Sequence, residues 1–574
     1  MKNIIKITLI SVVSLLVLSS CIKEFTPQTT YATKDQVSNA PGSYNLFVSA
    51  LTSTLVGDFT YGGADDKYYP FDFGIPAFFL ERDVQGQDIV YPYQNWYTYW
   101  YAIVSMGPGT RTAQLPWTYY YGWIKGCNDV INLSGEEPEG AKRDGAGQAY
   151  ALRAMFYMDL ARMFAPKPYT VDTNSPTVPI VNEKTAAKDL ASNPRATNEK
   201  MWEFILEDLD KAESLLTAKF NENGELVSPG YSRTNVYTPD STVVFGLKAR
   251  AYLETGQWAN AVTYAKKAQK GYTLMDEAAY CDKDKGFNTP NDAWMFGVTY
   301  KADDPNILVN DGDSSWGSMM CIEINPKVSG CGYAANYGQP FLIDRHLYET
   351  IPATDFRKKC YVDFAIDDLP DDDTKIAALN PYAASGHGEW ILNAGNVTEG
   401  YNKVGGLELK FRTAGGDAGR DNQYIGFVVA VPLMRVEEMY LIEAEAAGRQ
   451  NEAEGIALLT AFAKTRDASY VYGSHNEAYG NTTTSAFVNE CWWQRRVELW
   501  GEGFATLDIK RLQKGIIRNY PGTNHTENYR WNSATTPTWM NTCIVQTETN
   551  YNTACTNNPE PIPPTGDSPI ATSF

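Results

Sequence analysis

Apolar residues recur at steps of three and four through several stretches of this chain, and each stretch predicts an amphipathic helix. From Trp117 to Leu133 the stripe is Tyr120, Ile124, Cys127 and Ile131, ending near Gly135. A second stripe, Ala149, Leu152, Phe156, Leu160 and Met163, runs until Pro166 and Pro168 stop it, so an antiparallel helix pair is expected. A third runs through Met201, Ile205, Leu209, Ala212 and Leu216. Thr197 or Asn198 is available as its N-cap, and Glu199 suits the helix dipole. The charges Glu207, Asp208, Asp210 and Lys211 then read as a solvated face.

The segment Ser241 to Lys270 carries the clearest repeat signal. Ala249, Tyr252, Gly256, Ala261, Ala265 and Ala268 stand where a tetratricopeptide unit places small or aromatic residues at its helix crossing and turn. One such unit cannot bury its own face, so other helix pairs must stack on it. The earlier pair is one candidate, and Leu433, Val436, Tyr440, Ala444 and Ala447 begin another. The last clear helix is Ala486 to Trp500, before Gly501 and Gly503. Residues 271–430 and 516–574 are rich in Gly, Asn, Asp and Pro, with short alternating runs at Leu407 to Phe411 and Phe427 to Val431. The expected fold is mainly α: a tetratricopeptide-like helical repeat superhelix with long loop insertions and minor β-strands. Insertions of that size usually form the binding face.

The N-terminus has a different pattern. Lys2 and Lys6 precede an apolar run from Ile7 to Leu18 that is too short to span a membrane. It ends in Leu18, Ser19, Ser20 and Cys21, which resembles a lipobox. Residues 1–20 therefore read as a removable export signal, Cys21 as the lipidated first residue, and residues 21–40 as a polar tether. Residues 41–574 read as one domain, with an N-terminal part of about 41–240 and a C-terminal part of about 241–574. No other segment approaches ~20 uninterrupted apolar residues.

Composition narrows the possible partners. The 574 residues carry a formal net charge of −19, which repels nucleic-acid backbones and anionic membrane surfaces. Apart from Cys21 there are eight cysteines and no C-x-x-C pair, so the fold does not depend on sulfur. Cys321 with Cys331, and Cys543 with Cys555, are close enough to close small loops in an oxidising compartment, or to stay as buried thiols. The 37 Tyr, 23 Phe and 14 Trp make the chain rich in aromatic surface.

With these blocks in place, the chain resembles the SusD/RagB family of nutrient-binding outer-membrane lipoproteins along nearly its whole length. After the lipobox, Gly126 to Asn132 is like the family's N-terminal helix, and Ala151 to Leu160 is similar to its Leu-Arg-Ala-x-x-Tyr-x-x-Leu helix. Trp202 to Ala212 and Leu247 to Trp258 look like its next signatures. Pro432 to Arg435 leading to Tyr440 to Ala446, then Arg495 to Leu499 through Glu502 and Gly503 to Asp508 and Arg511, resemble its C-terminal ones. Gln494 stands where the family usually has Glu, Ala505 where it often has Arg, and Leu459 to Ala463 where it often reads Leu-Asn-x-Val-Arg. The charges Arg435, Glu443, Glu445, Arg495, Arg496, Glu498, Asp508 and Arg511 are expected to pair at interhelical seams. The resemblance implies a non-enzymatic lipoprotein on the cell outer membrane, facing outward. It would pass a nutrient, an oligosaccharide above all, to a SusC-like TonB-dependent transporter. A peptide ligand, a lipid-anchored glycoside hydrolase and a purely structural repeat scaffold are the competing readings.

Catalytic and cofactor motifs are sparse. His346, His387, His475 and His525 lie apart, with no H-E-x-x-H, G-x-S-x-G, P-loop or G-x-G-x-x-G signature, and no cofactor is implied. The acidic runs Asp367 to Asp373 and Asp311 to Asp313 could hold Ca²⁺, although neither has EF-hand spacing. The stretch Tyr93 to Trp123 holds eleven aromatics, more than one helix face can bury. Trp96 and Trp100 precede the helix, and Trp294 and Trp316 lie in the long insertion. Flat indoles suit sugar rings, with an amide such as Asn95 taking hydroxyls. Asn95, Trp96, Trp100, Trp294 and Trp316 are therefore the expected ligand contacts.

The anchor is directly testable. Cys21→Ala is expected to move the protein from the membrane fraction to the soluble fraction on cell fractionation, and a variant still held in the membrane would overturn the lipid assignment.

Overall fold

In the computed structural model, residues 40, 42–57, 69–92, 96–327, 332–396, 403–477 and 484–574 are described. Cys21, Cys331 and Asn95 lie outside them. A short unit runs to Leu46, and within its described residues a helix begins at Ser43. The rest, Phe47–Phe574, is one unit.

Its frame is built from long helices, α1 (Ile75–Val84), α2 (Arg111–Ser134), α3 (Gly140–Phe164), α4 (Asn198–Leu216), α5 (Ser241–Glu254) and α6 (Trp258–Ala268). After a long insertion come α7 (Val436–Gly448), α8 (Glu452–Ala463), α9 (Ala486–Glu498) and α10 (Ala505–Leu512). Neighbours pack in sequence from α2 to α6; α6 packs on α7, and α7 on α8 and α9. This is the stacked tetratricopeptide-like arrangement. Ala249, Ala261, Ala265 and Ala268 are fully buried at the α5–α6 crossing. Gly256, at φ +71°, makes the turn between these helices with a conformation that costs a side chain energy.

Two expectations shift at the helix ends. Helix α2 begins at Arg111, ahead of Pro116, because Leu115, Trp117, Tyr119 and Tyr120 are all buried there and their packing outweighs the one lost backbone bond. The helix α10 follows Gly501 and Gly503 and is masked in the sequence by that glycine pair. For α4, Thr197 is the cap: its side chain accepts the N–H of Lys200 at 3.3 Å.

The solvated-face reading of α4 holds only in part. Asp208 is fully buried and receives a two-pronged bond from Arg153 of α3, Nε at 2.7 Å and Nη2 at 2.8 Å. Asp210 takes Lys248 of α5 at 2.5 Å. A carboxylate cannot stay buried unless a cation meets it, so this face of α4 is a seam between three helices.

The insertion between α6 and α7 is ordered around its own apolar cluster, which includes Ile322, Leu342, Val362, Leu379, Ile391 and Leu407. Strand β1 (Trp294–Thr299) pairs antiparallel with β2 (Ala430–Arg435), which leads straight into α7. Leu407 and Glu408 make only isolated bridges, to Leu342 and Tyr361. Asp371 caps the helix Asp372–Leu379, and Asp367 Oδ1 accepts the N–H groups of Val404 and Gly405 at 2.7 and 3.1 Å. These two carboxylates of the acidic run thus organise backbone, and the described residues contain no group of three or more His, Cys, Asp or Glu side chains placed to hold a metal ion. Cys321 is buried, and Cys543 and Cys555 are separate free thiols.

The charges expected to pair do so. Arg435 binds Glu498 at 3.2 Å and Glu502 at 2.8 Å; Arg495 binds Asp508 at 2.6 Å; Arg496 binds Asp88 at 2.6 Å; and Arg511 binds Glu445 at 2.6 Å. Burial alone would raise the Glu445 carboxyl, but Arg511 and Arg449 outweigh it and hold the pKa down to about 2. Asp159 is likewise held at about 2, by Arg82 and Arg162 against burial. A carboxyl depressed in the folded state adds stability above its unfolded pKa of roughly 4, and that stability is lost as pH falls through the folded value. Denaturation midpoints are therefore expected to drop as pH falls from about 4 to 2, and a midpoint flat across that window would contradict the pairing.

Candidate functional site

The four expected tryptophans have different fates. Trp100 is 2% exposed, with ring centroids 5.3 Å from Phe71 and 5.5 Å from Tyr97. Trp316 opens a short, wholly buried helix, Trp316–Met320, and sits 5.0 Å from Phe411 and 6.3 Å from Phe79. Trp294 starts β1, whose two faces are both covered, and is 1% exposed. None of these three offers a face to solvent, which corrects the expectation that they contact ligand. The reason is their long-range partners, Phe71 and Tyr97 over Trp100, Phe79 and Phe411 over Trp316, and β2 beside Trp294. Only Trp96 keeps part of its ring accessible.

Around Trp96 the structure assembles a different aromatic surface. Its ring meets Phe71 at 6.3 Å and Tyr333 at 6.4 Å, and Tyr333 meets Tyr337 at 5.3 Å. Phe71 is buried and serves as the floor, stacked at 5.5 Å on Tyr69. The guanidinium of exposed Arg111 lies 3.9 Å from the Tyr69 ring centre. Tyr333 is half-buried and Tyr337 is 44% exposed. The rings Tyr69, Trp96, Tyr333 and Tyr337 thus form a partly exposed row anchored on buried neighbours.

Local structure explains this row. Tyr333 and Tyr337 stand four apart, on and just after the one-turn helix Tyr333–Asn336, so both point to the same side. Gly332 enters that helix at φ +96°, where a Cβ would come 3.0 Å from Phe427. Its N–H donates to Asp313 Oδ1 at 3.1 Å, and Ser318 Oγ donates to the same oxygen at 3.4 Å. Burial, reinforced by Asp311, raises Asp313 to about 6. Burial and then Asp313 push the Tyr333 phenol up to about 12, against a hydrogen bond from the Trp96 indole. Tyr424, 38% exposed, donates its hydroxyl to Asp311 at 3.0 Å on the flank of the row.

This arrangement can stack flat rings and offer hydroxyl and carboxylate acceptors beside them, which is the chemistry of sugar recognition. Tyr333 and Tyr337 were missed in the sequence because they sit in a stretch rich in Gly and Asn. Their four-residue spacing after Gly332 is the signal that was there to be read.

The model described as the SusD family matches residues 381–565, and the one described as starch-binding, associating with outer membrane, matches residues 80–240. Two separate stretches of the chain thus match models of this family. Among solved structures it is similar to a SusD-like carbohydrate binding protein from Bacteroides vulgatus, at 21% identity and a TM-score of 0.65, covering 90% of this chain and 97% of that one. It is also similar to a surface glycan-binding protein A from Bacteroides thetaiotaomicron, at 17% identity and a TM-score of 0.61, covering 90% and 98%. A laminarin binding SusD-like protein is similar at 15% identity and a TM-score of 0.56, again covering 90% and 98%. No curated protein matches in sequence.

The burial of Trp316 gives a direct check. Trp316→Ala is expected to cost about 3–5 kcal/mol of stability in equilibrium denaturation, and a cost below about 1 kcal/mol would contradict its core role.

Proposed function

We propose that this chain is a surface glycan-binding lipoprotein of the outer membrane that captures oligosaccharides and passes them to a TonB-dependent transporter barrel. The observation that carries the ligand assignment is the row Trp96, Tyr333 and Tyr337, partly exposed rings set on a buried aromatic floor. Pyranose rings present C–H groups that pack on such faces, while Tyr hydroxyls and the Asp311 carboxylate take sugar hydroxyls. The related glycan-binding structures support the same ligand class. Cys21 supplies the lipid and residues 21–40 the tether that lets the body stand over a partner pore. The transporter and the outward orientation rest on the family alone. The net charge of −19 favours neutral glycans over polyanionic ones.

Titration calorimetry of the purified chain against neutral oligosaccharides is the test. Trp96→Ala and Tyr337→Ala are each expected to weaken binding about tenfold or more, with the thermal midpoint little changed. Unchanged affinity in both variants would remove the row from the site. Binding of a peptide digest in preference to glycans would replace the ligand class, and appearance of new reducing ends would replace binding by hydrolysis.

A further inference from the structure

Two cysteines that lie far apart in the chain meet within the insertion. Cys281 follows the one-turn helix Glu277–Tyr280, and Cys360 ends the 3₁₀ segment Phe356–Cys360. Each thiol's acidity is shifted first by a side-chain interaction with the other. Cys281 Sγ also donates to the Phe356 carbonyl at 3.4 Å, and Cys360 Sγ lies 4.0 Å from the carbonyl of Tyr280. Each sulfur is thus seated against the backbone that carries the other.

The two segments are fixed to each other on both sides of the thiols. Inside, the Tyr280 ring meets Phe356 at 5.5 Å and Phe287 at 4.9 Å. Outside, Lys359 binds Glu277 at 2.5 Å. Cys360 is 2% exposed, whereas Cys281 is only partly buried and open to a reagent. The side-chain interaction with Cys360 holds the Cys281 thiol below its usual range, with Lys359 and Arg412 assisting against burial and Glu277. The more accessible sulfur is therefore the one better able to attack.

We propose that Cys281 and Cys360 are a thiol pair that closes into a disulfide when the chain meets a disulfide oxidant. Cys281 attacks one sulfur of the oxidant as thiolate and expels the other as a thiol, leaving a mixed disulfide. Cys360 then attacks Cys281 and expels the second thiol. Two S–H bonds of the chain are lost and one S–S bond forms, while the oxidant's S–S bond is reduced to two S–H groups that carry the protons. The bond would tie the start of the insertion to its middle, and an exported chain would meet such oxidants. The pair is separate from the aromatic row, so its closure and glycan binding succeed or fail independently.

The test uses the purified chain treated with oxidised glutathione, alkylated, digested without reduction and analysed by mass spectrometry. A peptide pair joined through Cys281 and Cys360 is expected, with a thermal midpoint about 2–5 °C above that of the reduced chain. Cys281→Ser should lose both the joined peptides and the shift. Recovery of both cysteines alkylated would overturn the proposal, and so would glutathione left permanently on Cys281, because Cys360 would then be unable to resolve it.

Discussion

The structure depends on the burial of charge around Glu498. Its carboxylate, fully buried at the end of α9, receives Arg435 and Arg357 at 3.2 Å and Arg466 at 3.1 Å. Arg435 continues to Glu502 and Glu437 at 2.8 Å, Lys410 reaches Glu502 at 2.6 Å, and Arg357 reaches Asp355 at 2.7 Å. The cations Arg357, Lys410, Arg435 and Arg466 thus face the anions Asp355, Glu437, Glu498 and Glu502, and the cluster is neutral. Ions taken out of water are tolerable only when matched in this way, and loss of one partner leaves another stranded. The partners come from the insertion, from β2, from α7, from the segment after α8 and from the end of α9. The network therefore sets the register of the repeats against the insertion as well as holding them together.

Gln494 shows how strict the matching is. Its side-chain oxygen accepts Arg357 Nη2 at 3.0 Å inside the cluster. A glutamate there would make the same bond but add a fifth anion to a balanced set. The neutral amide supplies the acceptor without the charge, so this departure from the family pattern is consistent with the network it borders.

The helical frame was legible because its rules are local. The alanines of α5 and α6 announce a close crossing, Gly256 a turn, and Pro166 and Pro168 a stop, and each is read within a window of a few residues. Asp208 was not legible, because its burial depends on Arg153, 55 positions away, and nothing in α4 itself distinguishes it from Asp210. Trp100, Trp294 and Trp316 were misread for the same reason. Their accessibility is set by Phe71, Phe411 and the strand partner of β1, all brought in by long-range folding. Aromatic density showed that rings would gather but not which ring would keep an open face.

That distinction bears on how the site can work. Burial of Trp100 and Phe71 is what makes Trp96 a fixed surface: its ring is braced from beneath and held at its edge by Tyr333. A ligand meeting such rings orders little of the protein on binding, so more of the stacking energy is retained as affinity. Tyr337 and Tyr424 are more exposed, at 44% and 38%. The row therefore has a braced centre and a more exposed flank. Under the proposed glycan-binding function, such a surface would hold one sugar ring firmly while accepting variation in the residues on either side, which is what capture of heterogeneous chain fragments requires.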